Sequence, residues 1–470
     1  MLQLRPVWDS HVSVVRSFAF GCARILSLIP LTLCAESLCA QPDNLPEAWT
    51  LEQCISYAET HSLDIQGQSL QELSSRAQLR EAKWAFAPSV SANATHAYDF
   101  GRAIDYGSNT VSNDLQSTSF SVGASVTLFD GFANVRSVQL RRLEVEGQLA
   151  HRAVILANLS LGVAKAFLQV VYQQELLQTR ADQLAINEKQ LELGVKRAAA
   201  GAITQGAVLE LQAQVATAQQ AQVTAENALA QAKIQLIQAL NLQGVSDIQL
   251  VRPMLDSASL PQMPVANVDQ IYQQALLAYP TIVEAELTER QAAKQVQIAQ
   301  GRHYPVLSLA ASYGSATRYY LNEANHLPAD PFMTQVRNNA AKRIQLSLTI
   351  PIFDRFSAHT GVTRAKIGQQ QAALARKQAE NTLYRNVQTA YQDALSGFRQ
   401  LEAARRNVAS LDVAFQWAET KLAVGAISTY DFAQAQSRLS QARVTLLQAT
   451  IDYLFKVKIL EFYQGTPFKF

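Results

Sequence analysis

The chain has 470 residues, 48% of them apolar and 17% charged, with 19 glycines, 14 prolines and a formal charge of +2. So balanced a charge excludes a polybasic nucleic-acid surface, and so much apolar content excludes a disordered chain. Length alone points to two or three domains.

Arg16 and Arg24 precede the apolar run Ile25 to Cys34, which is too short to span a bilayer as a helix, and "SLCAQPDN" supplies a small-residue cleavage site after Ala40. Residues 1–40 read as a secretory signal peptide. Lipid attachment at Cys34 or Cys39 is the rival reading; Leu33 and Leu38 stand where it needs a small residue. Cleavage removes Cys22, Cys34 and Cys39, so Cys54 alone remains and no intramolecular disulfide is expected.

Residues 41–48 read as a linker. A short helix over 50–61 and a longer one over 63–86 follow, stopped by Pro88. Strands are expected at about 88–99 and 118–129. In the second, Phe120, Val122, Ala124, Val126 and Leu128 alternate with small polar residues. No proline occurs between Pro88 and Pro253, so residues 132–199 form one helix of roughly 100 Å at 1.5 Å per residue. A turn at Gly201 and a cap at Thr204 start a return helix to about Leu242, on which Leu211, Val215, Ala218, Ala225, Leu229, Ala232 and Leu236 keep a heptad.

All of this occurs twice. "VTLFDGF" around Asp130 returns as "TIPIFDRF" around Asp354, and "AGAIT" at Gly201 returns as "VGAIS" at Gly425, each 224 residues later. Upstream of the strands the offset is 217, so the difference falls in the connection between the two strands of each copy. The organisation is a first repeat over 49–243, a linker over 244–266, a second repeat over 267–463 and a tail over 464–470. The second repeat adds strands at about 305–316 and 343–353, with Ile344, Leu346, Leu348 and Ile350 on one face.

A half-buried sheet in a soluble domain is the plainer reading of such strands. Three features argue for membrane strands instead. They are long enough to cross a bilayer when tilted, and aromatics gather at their two ends, Phe129, Phe132, Phe353 and Phe356 against Tyr98, Phe100, Tyr313 and Tyr319. The connections 99–117 and 315–342 are long and polar, and after the signal no stretch is apolar enough for a spanning helix. Phe120, Val122, Val126, Leu128, Ile344, Leu346, Leu348 and Ile350 are then the lipid-facing set. Four strands cannot close a barrel, and an open edge in lipid leaves backbone groups unpaired, so the chain must oligomerise.

The tandem repeat, the "LFDGF" junction, the external "FGRAID" segment and "KLAVGAISTYDFAQAQSRLSQARVTLLQATIDY" together resemble the TolC family of outer-membrane efflux proteins over about residues 48–464. The resemblance implies a mainly α fold with membrane β-structure: a homotrimer whose four strands per protomer make a 12-stranded barrel, continued by a long periplasmic α-helical barrel. It also implies an exit duct for tripartite drug pumps and type I secretion. Its partners would be a periplasmic adaptor, an inner-membrane transporter of RND or ABC type and outer-membrane lipid, with no nucleic acid.

The family pattern places an aspartate six residues after the turn glycine at the closed periplasmic aperture, and Asp431 matches it. Three copies would form an anionic ring favouring cations. The first repeat has Ala207 there, and Gln434 stands where some relatives carry a second acid. A first-turn acid favourable to the helix dipole is the plainer role for Asp431. The turns Gly201, Ala202, Ile203, Thr204 and Gly425, Ala426, Ile427, Ser428 are expected to dock the adaptor, with helix capping as their plainer role. His61, His96, His151, His303, His326 and His359 show no metal-ligand spacing, and no phosphate loop or nucleophile elbow occurs, so neither cofactor, metal nor catalysis is expected. A passive porin would not need 100 Å helices, and a structural coiled coil would not need alternating strands.

Overall fold

A computed structural model describes residues 46–105, 110–251, 267–321, 330–466 and 468. The expected signal peptide, most of both linkers and the tips of both external connections lie outside these residues.

Thr50 opens the first helix, α1 (Leu51–His61), through a capping box with Gln53. Ser62 breaks it from α2 (Leu63–Trp84). In the second repeat α5 (Val268–Ala278) and α6 (Pro280–Gly301) have the same lengths, and here Pro280 makes the break by occupying the first helical turn, where its missing N–H has no partner to lose. Each pair leads into two strands: β1 (Ser89–Asp105) and β2 (Thr110–Asp130), then β3 (Val306–Tyr320) and β4 (Ala341–Thr349). The strands feed helices of 67 residues, α3 (Ala133–Ala199) and α8 (Ser357–Ala423), and these return through α4 (Gln205–Ala239) and α9 (Thr429–Tyr463).

The strand-to-helix junction explains why its aspartate is duplicated. Asp130 Oδ2 accepts the Asn134 amide at 2.9 Å, and Asp354 Oδ2 accepts the Ala358 amide at 2.6 Å, each closing an otherwise unpaired donor at a helix start. Two consecutive left-handed residues make the corner, Gly131 and Phe132 in one repeat and Arg355 and Phe356 in the other. Gly131 has a second reason to be glycine: a Cβ there would lie 2.4 Å from the Gly301 carbonyl oxygen, where α6 ends against it.

The four strands form one antiparallel sheet in the order β1-β2-β3-β4. Residues from Ala48 onward form one compact unit. In the strand-proximal part of its helical wall, α2 packs on α3, α3 on α6 and α6 on α8; toward the tips α4 takes the place of α2 and α9 that of α6. Between these levels lies the main core, where Trp49, Cys54, Phe167, Leu236, Leu240 and Ile451 are buried together; Trp49 ties into it by pairing with Leu250 in a parallel bridge. A smaller core joins Ile271, Ile282, Leu383, Val387 and Leu460. The heptad on α4 is as expected, with Leu211, Val215, Ala218, Ala225, Ala232 and Leu236 all buried.

Several expectations need correction. β1 and β2 run well past residues 99 and 118 because the polar residues of that connection stay paired as a ribbon, so most of it is strand rather than loop. β3 extends to Tyr320, β4 is shorter than expected because Pro351 cannot continue a ladder, and the second connection contains a helix, α7 (Phe332–Asn338). The return helices hold 35 residues each, the first ending at Ala239 rather than about Leu242, and the 11-residue α1 makes up the length that α2 and α4 lack against α3. Finally, α3 does contain an 18-residue window of mean hydropathy 1.8, apolar enough by length and composition to cross a bilayer. Val163, Phe167, Val170 and Val171 on this helix are buried in the main core, which accounts for part of the apolarity; only 33% of the window is buried.

Candidate functional site

Three regions carry the expected residues: the two helical turns, the apolar sheet face and the free edges. The turns are near copies. Gly201 and Gly425 sit at φ +72° and +73° with open space around them, so the backbone conformation alone selects glycine. The amides of Ala202 and Ala426 then donate to Arg197 and Lys421 carbonyls at 2.8 Å, which closes each long helix. Thr204 Oγ1 accepts the Ala207 amide, and Ser428 Oγ accepts the Asp431 amide at 3.1 Å. Ala202, Thr204, Ala426 and Ser428 are exposed, whereas Ile203 and Ile427 are half-buried under their turns.

Asp431 is exposed, and its carboxylate completes a capping box by accepting from the Ser428 amide at 3.4 Å, with a second bond from the Ser428 hydroxyl at 2.7 Å. Its capping role is therefore present within one chain. Gln434 is also exposed and lines a cavity of about 510 Å³ shared by α3, α4 and α9. At the edge of that cavity is a contact that sequence patterning missed. Gln436, buried, donates to Asn187 Oδ1 at 3.1 Å, and Asn187 is also held by Gln183 and by the Gln214 carbonyl. This polar knot ties the first repeat's hairpin to α9. Gln436 falls one residue off the heptad, so only its burial reveals it.

On the sheet, register sorts the faces. Val122 pairs with Tyr313, Val126 with Leu309, and Leu309 with Leu346; Leu307 pairs with Leu348, so these share one side. Ile344, Leu346, Leu348 and Ile350 are 58 to 81% exposed in the single chain. Three of the expected residues differ. Ile350 lies just past the end of β4 and pairs with no strand. A bulge between Thr127 and Phe129 skips Leu128, so Phe129 rather than Leu128 pairs with Leu307. Phe120 is covered by α7, whose Phe332 meets it edge to face at 6.3 Å. Ser315, paired with Phe120, donates to the Val336 carbonyl at 2.7 Å and fastens α7 to the same face.

Both edges of the sheet, β1 and β4, are unpaired in the single chain. The helices beneath them expose apolar side chains outward: Leu63, Leu70 and Leu73 on α2 and Leu209, Val223 and Ile234 on α4, against Leu374, Val413 and Trp417 on α8. Among the described residues no cluster of His, Cys, Asp and Glu could hold a metal ion. Burial pushes the Cys54 thiol up to about 12, which makes it a core residue without nucleophilic character.

An antiparallel sheet with one apolar face and two open edges, rooted on helices of roughly 100 Å, defines the protomer of an oligomeric outer-membrane channel. The model of the outer membrane efflux protein family matches residues 54–242 and 271–466, one segment in each repeat, and the chain belongs to that family. Protein CyaE of Bordetella pertussis is 26% identical over 373 residues, covering 78% of this chain and 74% of the relative. A solved structure of CusC superposes with a TM-score of 0.74 at 20% identity, covering 88% of this chain and 91% of that one. The outer membrane protein VceC of Vibrio cholerae gives 0.70 at 17% identity, over 89% and 97%. The protein is thus an outer-membrane efflux channel extending into the periplasm, an exit duct of efflux or secretion assemblies and not an enzyme.

Proposed function

We propose that three copies close into the working duct, docked at the turns around Gly201 and Gly425 by a periplasmic adaptor that couples it to an inner-membrane transporter of RND or ABC type. The observation that carries this reading is the pair of open edges. Unpaired backbone groups in lipid are worth several kcal/mol each, and three copies of the four-stranded sheet make twelve strands with none left over. The edge helices support the same closure, because the outward apolar residues of α2 and α4 on one side and of α8 on the other need a partner. In this trimer Val122, Val126, Leu346 and Leu348 face lipid and the small polar face lines the lumen.

Asp431 then lines the narrow periplasmic end beside its two symmetry mates, where it attracts cations, while Gln434 adds polarity without charge. The test is assembly. Crosslinking of detergent-extracted protein should stop at three chains, and cysteine pairs placed at exposed positions of α4 and α8 should link different chains. A monomer retaining all its β-structure in lipid would overturn the reading.

A further inference from the structure

The lumen side of the sheet carries one unexplained charge. Outward from Asp130, whose carboxylate accepts the Asn134 amide at the start of α3, the residues opposite the apolar face are uncharged and mostly small, until Arg343 on β4. Its paired row reads Arg343, Ser312, Gly123 and Ser91, so nothing across the other three strands fills the space in front of it. Arg343 is exposed and has no ion-pair partner among the described residues. Arg318 lies on the same face farther out, but the next row beyond it holds Asp99, paired with Leu115, which offsets its charge. Asp99 is several rows from Arg343. Lys342, the neighbouring cation, pairs with Tyr313 on the opposite, apolar side.

The geometry points to a ring of three Arg343 side chains inside the barrel that selects for anionic solutes, carboxylates and phosphates among them; this rests on the trimeric duct proposed above. Strands 4.8 Å apart and tilted by about 40° give a twelve-stranded barrel a backbone radius of roughly 12 Å. An extended arginine covers about half of that distance. The axis then lies within about one Debye length, 8 to 10 Å, of all three guanidinium groups, so ions cannot pass outside their field at physiological salt. A guanidinium does not lose its proton at any physiological pH, so the ring is a permanent charge. The duct would then carry opposite fields at its two ends, cation-attracting at Asp431 and anion-attracting at Arg343.

The test uses the full-length protein in planar bilayers, in an Asp431→Asn background that removes the opposing charge. The chloride-to-potassium permeability ratio, read from the reversal potential in a KCl gradient near 0.1 M, should fall at least about twofold in Arg343→Gln and the difference should vanish near 1 M salt. Arg318→Gln should change it less. Single cysteines check the face: Arg343→Cys should react with a charged, water-soluble thiol reagent and change conductance, whereas Lys342→Cys in lipid should not. Trimer content, measured in parallel by native mass spectrometry, separates loss of the ring from loss of the duct. An unchanged ratio in trimeric Arg343→Gln, or reactivity at Lys342→Cys in place of Arg343→Cys, would overturn the ring.

Discussion

Gly131 and Gly301 meet so closely that a Cβ on Gly131 would lie 2.4 Å from the Gly301 carbonyl oxygen and 2.8 Å from the Tyr304 Cβ. The contact locks the start of α3 against the end of α6, in the middle of the protomer. Gly131→Ala therefore faces both a clash with backbone and a left-handed φ of +67°. It should lower stability by about 2 kcal/mol or more and reduce assembled channel in membranes. At the equivalent corner, Arg355 holds φ +57° with a side chain present, so Arg355→Gly should be neutral or stabilising by up to about 1 kcal/mol. Thermal melting of the detergent-solubilised protein compares the two directly.

The strand faces predict a second asymmetry. Leu348→Arg puts a charge on the apolar face and should cost about 2 to 4 kcal/mol near mid-bilayer, depleting the assembled form. Thr349→Arg, one residue on, lies on the opposite face, which the trimeric duct proposed above turns to its lumen, and should be tolerated or alter conductance. Heat-modifiable mobility on gels and single-channel conductance read the two effects; the opposite ranking would mean that the register is inverted.

At the tip, the capping and charge roles of Asp431 can be separated. Ser428→Ala removes the hydroxyl that binds both the Asp431 amide and its carboxylate, and should destabilise the hairpin by about 1 kcal/mol with cation block intact. Asp431→Asn should weaken cation selectivity and block by polyvalent cations added from the periplasmic side, with trimer yield little changed. Bilayer recordings decide, and equal block in wild type and Asp431→Asn would leave Asp431 with its cap alone.

Much of this was legible because the duplication is strict. Lengths, junctions and turns repeat, and a heptad or an alternation seen twice is hard to misread. What stayed hidden depends on contacts between distant segments. The parity of Leu128 places it with Val126, and only the pairing with β3 exposes the bulge that hands its place to Phe129. The outward position of Phe120 could not show that α7, about two hundred residues later, folds back over it. Gln436 lies off the heptad in a glutamine-rich helix, and its bond to Asn187 belongs to the packing of two hairpins rather than to either one.

Cys54 offers a prediction outside the channel. Its thiol, fully buried, is raised by desolvation from 9.0 to about 12, so the folded state keeps the proton that the unfolded chain releases. The stabilisation is fully present below pH 9 and is lost as pH rises toward 12, because only the unfolded thiol ionises in that window. Folded protein at pH 8 should resist alkylation by iodoacetamide, and protein unfolded in guanidinium should react at once. Mass spectrometry of the mature chain gives the answer, and rapid labelling of the folded form would mean that the main core opens readily.

The two strand-to-helix corners began as identical copies, and their present difference marks a border. At the first, a neighbouring helix of the same chain presses on the corner and admits no side chain; at the second the local backbone is just as left-handed, yet arginine is accommodated and exposed. A corner enclosed by its own chain is constrained by intramolecular fit, while one at the outer edge answers to whatever stands beside it. At these two corners a matched left-handed backbone excludes a side chain where its own chain presses on it and carries one where it is exposed, so the difference between the halves follows from that contact and not from the turn.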